Sequence, residues 1–191
     1  WTTTPWTLPA NEAVAVNANY DYVLVQLNDE VIIVAQELME NLFEALAIDD
    51  HQQVASIGGK DLEALLVQHP FYDKQVPIVL GDHVTLESGT GLVHTAPGHG
   101  VEDYQVAQKY DLPLDHPVGV NGCFVEGTAF FEGLHINKAN PVIVELLTEN
   151  NKLLHHGRID HSYPHCWRHK TPLIFRATPQ WFISMEKAGL R

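Results

Sequence analysis

Apolar residues in this chain come in short stretches, the longest being the five residues 31–35, and turn-forming pairs separate many of them. This feature most limits the fold. Five residues cannot cross a bilayer, so no membrane partner is expected. Stretches 13–16, 22–27, 31–35, 53–57, 76–80, 84–87 and 92–96 read as strands, by alternation or by continuous apolar character. The unbroken run at 31–35 predicts a strand buried on both faces. Gly81-Asp82 and Asn121-Gly122 predict two-residue hairpins, joining 76–80 to 84–87 and 118–120 to 123–125. Met39, Leu42, Phe43 and Leu46 have the spacing of an amphipathic helix, and Leu62, Leu65 and Leu66 share one face of a shorter one. Asn140-Pro141 reads as a cap with proline at the first helical position, and Val142, Ile143, Leu146 and Leu147 would be the buried face that follows. Many short strands with few helices predict a mixed α/β, β-rich fold with a β-barrel-like core and peripheral helices.

The stretch 91–103 promises chemistry. Residues 92–96 predict a short buried strand, Pro97-Gly98-His99-Gly100 a turn, and Val101 onward a helix with Asp103 in its first turn. The glycines are expected to take backbone angles that other residues avoid. Strand end, turn and helix start make a concave corner with free N–H groups, flanked by His94 and the Asp103 carboxylate. Alone, His94 reads as a satisfied core histidine and Asp103 as a helix-start acid. The opening, Trp1-Thr2-Thr3-Thr4-Pro5-Trp6-Thr7, would put Thr2 and Thr4 on one face if residues 2–4 form a strand. It reads either as a hydroxyl wall beside two indoles or as an ordinary threonine-rich edge strand.

A chain of 191 residues predicts one domain over 1–191, and its opening on Trp1 in strand-like sequence reads as a segment cut from a longer protein. Cys123 and Cys166 lie far apart, so a reducing, cytoplasmic setting is expected rather than a disulfide framework. The net charge of −13 opposes nucleic-acid binding, yet its distribution is uneven. Residues 1–150 carry 4 basic and 22 acidic side chains, whereas residues 151–191 carry 7 basic, 2 acidic and 5 histidines. That basic third fits either an anion-binding surface or contact with an acidic neighbouring domain. Gly89-Thr90-Gly91 and Gly98-His99-Gly100 match no nucleotide-binding spacing, and no lysine follows them. His94 with His99, or His165 and His169 with Cys166, lack the usual zinc templates, so no metal or other cofactor is expected. Without a nucleophile elbow, covalent catalysis is not expected either.

Residues 1–11, His94-Thr95-Ala96-Pro97-Gly98-His99-Gly100-Val101-Glu102-Asp103, and Cys166-Trp167-Arg168-His169-Lys170-Thr171-Pro172 together resemble the editing insertion of the bacterial-type isoleucyl-tRNA synthetases. Arg176-Ala177-Thr178-Pro179-Gln180-Trp181-Phe182 resembles the point where that insertion rejoins the catalytic body, making 176–191 a junction. Thr4 stands where the valyl and leucyl enzymes typically carry arginine. The synthetic-site signatures are absent, so no amino-acid activation is expected from this stretch. The resemblance implies post-transfer hydrolysis of valine mischarged on tRNA(Ile), with isoleucine excluded by pocket size and no cofactor. Asp103 would pair with the α-ammonium, His94 would wall the side-chain pocket or act as general base, and Thr2, Thr3 and Thr4 would bond the ester, ribose or attacking water. Trp1, Asn11, Thr95, Ala96, Gly98 and Gly100 complete the implied substrate-binding set. Arg158, Arg168, Lys170 and Arg176 are candidates for contact with the tRNA CCA end or the catalytic body, and a monomer is expected. The competing readings are a non-catalytic module for the aminoacylated tRNA end, needing the full-length enzyme for turnover, and a chelator-sensitive metallohydrolase.

Overall fold

A computed structural model describes residues 1–160, 162–187 and 189. Its strands are Ala13–Val16 (β1), Asp21–Leu27 (β2), Glu30–Ala35 (β3), Gln52–Gly58 (β4), Leu66–Gln68 (β5), Gln75–Leu80 (β6) and Val93–Thr95 (β7). The α-helices are Met39–Leu46 (α1), Val101–Tyr110 (α2) and Ile136–Glu149 (α3). One sheet has the order β5-β6-β1-β7 and the other β3-β2-β4. In the first, β1 pairs in parallel with β6 and antiparallel with β7, with Val14 opposite His94.

Alternation along β1 assigns its two faces. Val16 joins Ile78, Tyr22, Val23, Val25 and Val34 in a core shared by both sheets and closed by Leu42 and Phe43 of α1. Ala13 and Ala15 turn the other way, onto Val79, Val84 and Val106 of α2. A third cluster gathers Trp6, Phe124, Phe131 and the α3 residues Ile136, Ile143 and Leu147. The expected mixed, β-rich architecture with peripheral helices is what forms. No ladder joins the two sheets among the described residues.

Several local expectations give way to tertiary pairing. Residues 31–35 are not buried on both faces: β3 is an edge strand with Val31 48% exposed, and β2 is the central one. Gly81-Asp82 makes a turn, yet 84–87 forms no strand, because β5 and β1 already occupy both edges of β6. The helix expected at 62–66 shrinks to a 3-10 turn, Gly59–Leu62; Leu62 is buried, but Leu66 is 61% exposed as it enters β5. There, Ala64 N–H donates to Ile78 O and Ile78 N–H donates to Leu65 O, so pairing with β6 overrides helical spacing. The hairpin at 118–125 is reduced to a single bridge between Val118 and Phe124. α3 begins before Asn140-Pro141: His135 caps it by accepting the Asn137 N–H at 3.2 Å, and Pro141 lies inside. Of the four residues expected on its buried face, Ile143 and Leu147 are buried, Leu146 is partly so, and Val142 is 37% exposed because it turns to solvent. Residues 2–4 are not a strand but lead into the 3-10 helix Pro5–Ala10. Among the described residues no helix is long and apolar enough to cross a membrane.

Candidate functional site

The backbone of Trp1 lies along the outer edge of β7, its nitrogen donating to Leu92 O and its carbonyl accepting the His94 N–H, both at 3.0 Å. The threonine-rich opening is thereby carried past His94. A 3-10 helix has three residues per turn, so positions i and i+3 eclipse. Thr4 precedes the helix Pro5–Ala10 and its carbonyl accepts the Thr7 N–H at 3.0 Å, which brings the two hydroxyls to 3.3 Å. Thr7, one of the four hydroxyls of the opening, is given no role by the sequence and is the one that meets His94.

His94 is held at both ring nitrogens. The Asn11 amide donates one proton to Ala13 O at 2.9 Å and the other to His94 Nδ1 at 2.6 Å. Nδ1 is therefore an acceptor, and the single ring proton sits on Nε2, donated to Thr7 Oγ1 at 2.9 Å. Thr7 passes its own proton to Thr4 O at 2.8 Å. The imidazole is neutral and has no lone pair left for a reacting water, a geometry that disfavours a general base. Burial pushes its pKa down to about 3.

Asp103 enters from the first turn of α2. Its Oδ2 accepts the Ala96 N–H at 2.8 Å, while Oδ1 has no bond within the chain among the described residues. Burial raises its pKa and the Ala96 N–H opposes that shift. His94 and Ala96 sit two residues apart on one strand face, roughly 6.6 Å along it. His94 pairs with Val14, whereas Asp103 rides on α2, whose Val106 packs against Ala13 and Ala15 on the other face of β1; both side chains are tied to the end of β7, where Thr95 and Ala96 are buried.

Gly98 and Gly100 are glycines for want of space, not for unusual backbone angles. Gly100 is extended, with φ −145°. A Cβ there would stand 2.9 Å from Asp103 Cγ, and at Gly98 it would stand 2.8 Å from Asp115 O. Gly100→Ala is therefore expected to displace the carboxylate from Ala96. Any Asp103-dependent activity should drop by tenfold or more, while thermal unfolding stays within a few degrees of the parent; an unchanged rate would refute the packing account.

The remaining candidates divide. Thr2 Oγ1 accepts the Thr4 N–H at 3.1 Å, and Thr3 is exposed. Trp1 packs on Gly89, where a Cβ would lie 2.6 Å from its Cγ. Arg176 is partly buried beside Ala177, whose N–H donates to Gly98 O at 2.8 Å, so it borders the turn. Arg158, Arg168 and Lys170 are exposed, and Arg168 lies over the Trp167 ring. Grooves of about 540 and 560 Å³ flank this region, one lined by Glu12, Tyr72 and Lys74, the other by Gly98, Gly100, Phe175 and Arg176. Neither is lined by His94 or Asp103. Cys166 Sγ is 3.4 Å from His169 Nδ1, and no cluster of three metal-ligating side chains occurs among the described residues.

Of two further buried histidines, His69 is neutral by geometry, and His99 has a buried Nε2 without a partner among the described residues. His69 donates from Nε2 to Leu8 O and accepts two backbone N–H groups at Nδ1, while His99 donates from Nδ1 to Phe175 O. Burial lowers the pKa of both. A base with a folded pKa below its unfolded value binds fewer protons when folded, so stability rises with pH across the interval. For His94 that interval runs from about 3 to the ordinary 6.5: its contribution is complete above and lost as pH falls. Each pH unit inside it is worth up to about 1.4 kcal/mol. Asp103, with its raised pKa, acts in the opposite sense and offsets part of the loss. Urea midpoints should fall from pH 7 to about pH 4, and His94→Gln should flatten the trend; a pH-independent midpoint would contradict the neutral assignments of His94 and His69.

The family model "Leucyl-tRNA synthetase, editing domain" matches residues 22–145. The whole chain is 56% identical to a segment of the isoleucine--tRNA ligase of Alkalilimnicola ehrlichii and 58% identical to one in Photobacterium profundum. It spans only 20% and 21% of those proteins. The fold resembles GlLeuRS-CP1, with a TM-score of 0.66 and 18% identity over 83% of each chain. It also resembles the P. knowlesi cytosolic leucyl-tRNA synthetase editing domain, with a TM-score of 0.58 and 14% identity over 79% of this chain and 80% of that one.

Proposed function

The chain belongs to the editing-domain family of the aminoacyl-tRNA synthetases, and from this premise we propose that it hydrolyses the ester of valine mischarged on tRNA(Ile) while sparing isoleucine. The observation that supports the reading is a pinned, neutral His94 two residues from the Ala96 N–H that holds the partly free Asp103 carboxylate. The α-ammonium of the aminoacyl group takes Asp103 Oδ1 in a charge-assisted bond. The aliphatic side chain then points toward His94, which bonds to Thr7 and Asn11 hold rigidly as the limit of the pocket. Binding alone separates substrates differing by one methylene by roughly 1–3 kcal/mol, isoleucyl enzymes being the usual illustration, so a second sieve that refuses the larger group multiplies the selectivity.

His94 has no lone pair to offer, so the attacking water is oriented by the threonine hydroxyls and by the free hydroxyl of the terminal ribose. The rate enhancement comes from positioning and electrostatic stabilisation of the developing oxyanion. The scheme uses no metal or organic cofactor, and a chelator should leave it intact. The basic segment around Arg158, Arg168, Lys170 and Arg176 meets the single-stranded CCA end or the catalytic body of the same synthetase. With few phosphates engaged, tRNA binding should be weak and should fall with salt.

The test is deacylation of Val-tRNA(Ile) and Ile-tRNA(Ile), by this chain and by the full-length synthetase that contains it. Loss of valine alone is expected. Turnover only in the full-length protein would support the binding-module reading, and survival of Val-tRNA in both would end the proposal.

A further inference from the structure

Glu12 is a buried carboxylate, 5% exposed, at the junction of the 3-10 helix Pro5–Ala10 with β1. A buried carboxylate needs a compensating partner. Lys74, in the turn between β5 and β6, supplies it: Nζ lies 2.5 Å from Glu12 Oε1. The same Nζ donates to the Asn11 backbone carbonyl at 3.0 Å. The Glu12 N–H is in turn donated to Thr95 O at 3.0 Å. Residues 11 and 12 are thus held from one side by the β5–β6 turn and from the other by the end of β7.

We propose that Lys74 and Glu12 form a charged clamp that positions Asn11 and, through the Asn11 amide, fixes the orientation and tautomer of His94. The relay is continuous: Lys74 Nζ to Asn11 O, Asn11 Nδ2 to His94 Nδ1, His94 Nε2 to Thr7 Oγ1. With residue 11 released from Lys74, its amide is free to swing away from Nδ1, which it meets at 2.6 Å in the parent. The imidazole can then turn or change tautomer. Lys74 is a positioning residue: it acts through Asn11 and makes no bond to His94. The sequence offers no sign of it, because the partners are 62 and 63 residues apart.

Lys74→Met tests this, with Lys74→Arg as the conservative rescue. The primary readout is the ¹⁵N spectrum of the His94 ring in this chain. In the parent it should show one neutral species protonated at Nε2. In Lys74→Met it should broaden or split into two tautomers, and Lys74→Arg should restore the single species. If Lys74→Met fails to fold because Glu12 is left unpaired, the doubly neutral Glu12→Gln, Lys74→Met chain removes the same bond to Asn11 without a buried charge. An unchanged His94 spectrum in a folded variant overturns the clamp. The second readout rests on the proposed editing function: the Val-tRNA over Ile-tRNA deacylation ratio should fall about tenfold, the worth of one hydrogen bond to a charged group. A disturbed ring with an unchanged ratio would uphold the clamp and refute His94 as the pocket wall.

Discussion

Asp103→Asn is expected to lower kcat/KM for Val-tRNA(Ile) deacylation by about 100-fold or more. Asparagine keeps the shape and can still accept the Ala96 N–H, so the turn and α2 should stay in place. What it removes is the charge meant for the α-ammonium. Truncating one partner of a desolvated, hydrogen-bonded charge pair costs about 2–5 kcal/mol. At about 1.4 kcal/mol per decade this corresponds to factors from roughly thirty to several thousand. The folded chain itself should not suffer, since burial already disfavours the carboxylate's charged form. A decisive control uses tRNA bearing the α-hydroxy analogue of valine, which lacks the ammonium. The variant and the parent should hydrolyse that ester at similar rates. A near-normal rate on Val-tRNA, or an equal loss on both esters, would remove Asp103 from the role of ammonium anchor.

His94→Ala should produce the second large effect, on specificity. Removing a rigid wall relieves the overpacking an isoleucyl group would suffer, which is worth about 1–3 kcal/mol. Ile-tRNA deacylation is then expected to rise by roughly 10- to 100-fold, with Val-tRNA deacylation held within about fivefold. The geometry argues against the opposite outcome. Nδ1 faces the Asn11 amide and Nε2 carries the proton given to Thr7, so no ring nitrogen can take a proton from water. The pH–rate profile should likewise show no histidine step near the ordinary 6.5, because burial pushes His94 down to about 3. Loss of Val-tRNA turnover in a folded His94→Ala chain would instead assign it to acid–base chemistry.

The strand–turn–helix from β7 into α2 was legible because its signals are local: apolar alternation, a proline–glycine turn and a helical period. The same holds for β1, β2, β6 and α1, whose apolar patterns agree with the burial they acquire. Local signals misled where two tertiary solutions were possible. A continuous apolar run at β3 could not say which strand would be central, and a good hairpin pair at Gly81-Asp82 could not know that both edges of β6 were taken. At the site, residue types were readable and their bonding was not. His94, Asn11 and Asp103 stood out, but Thr7 entered only because the 3-10 helix Pro5–Ala10 carries its hydroxyl to His94 Nε2.

From its sequence alone, the chain's β-rich class, its composite corner at residues 91–103 and its kinship were determined, since these rest on residue types and short-range periodicity. Only the tertiary structure decided the state of His94, the freedom of Asp103 Oδ1 and the reach of Lys74 to residues 11 and 12. The first and last depend on hydrogen bonds between segments 60 to 90 residues apart, and the second on how the turn between β7 and α2 folds back onto Ala96. Such partners carry no mutual mark in the linear order, because directional bonds of about 3 Å exist only once packing has brought the segments together.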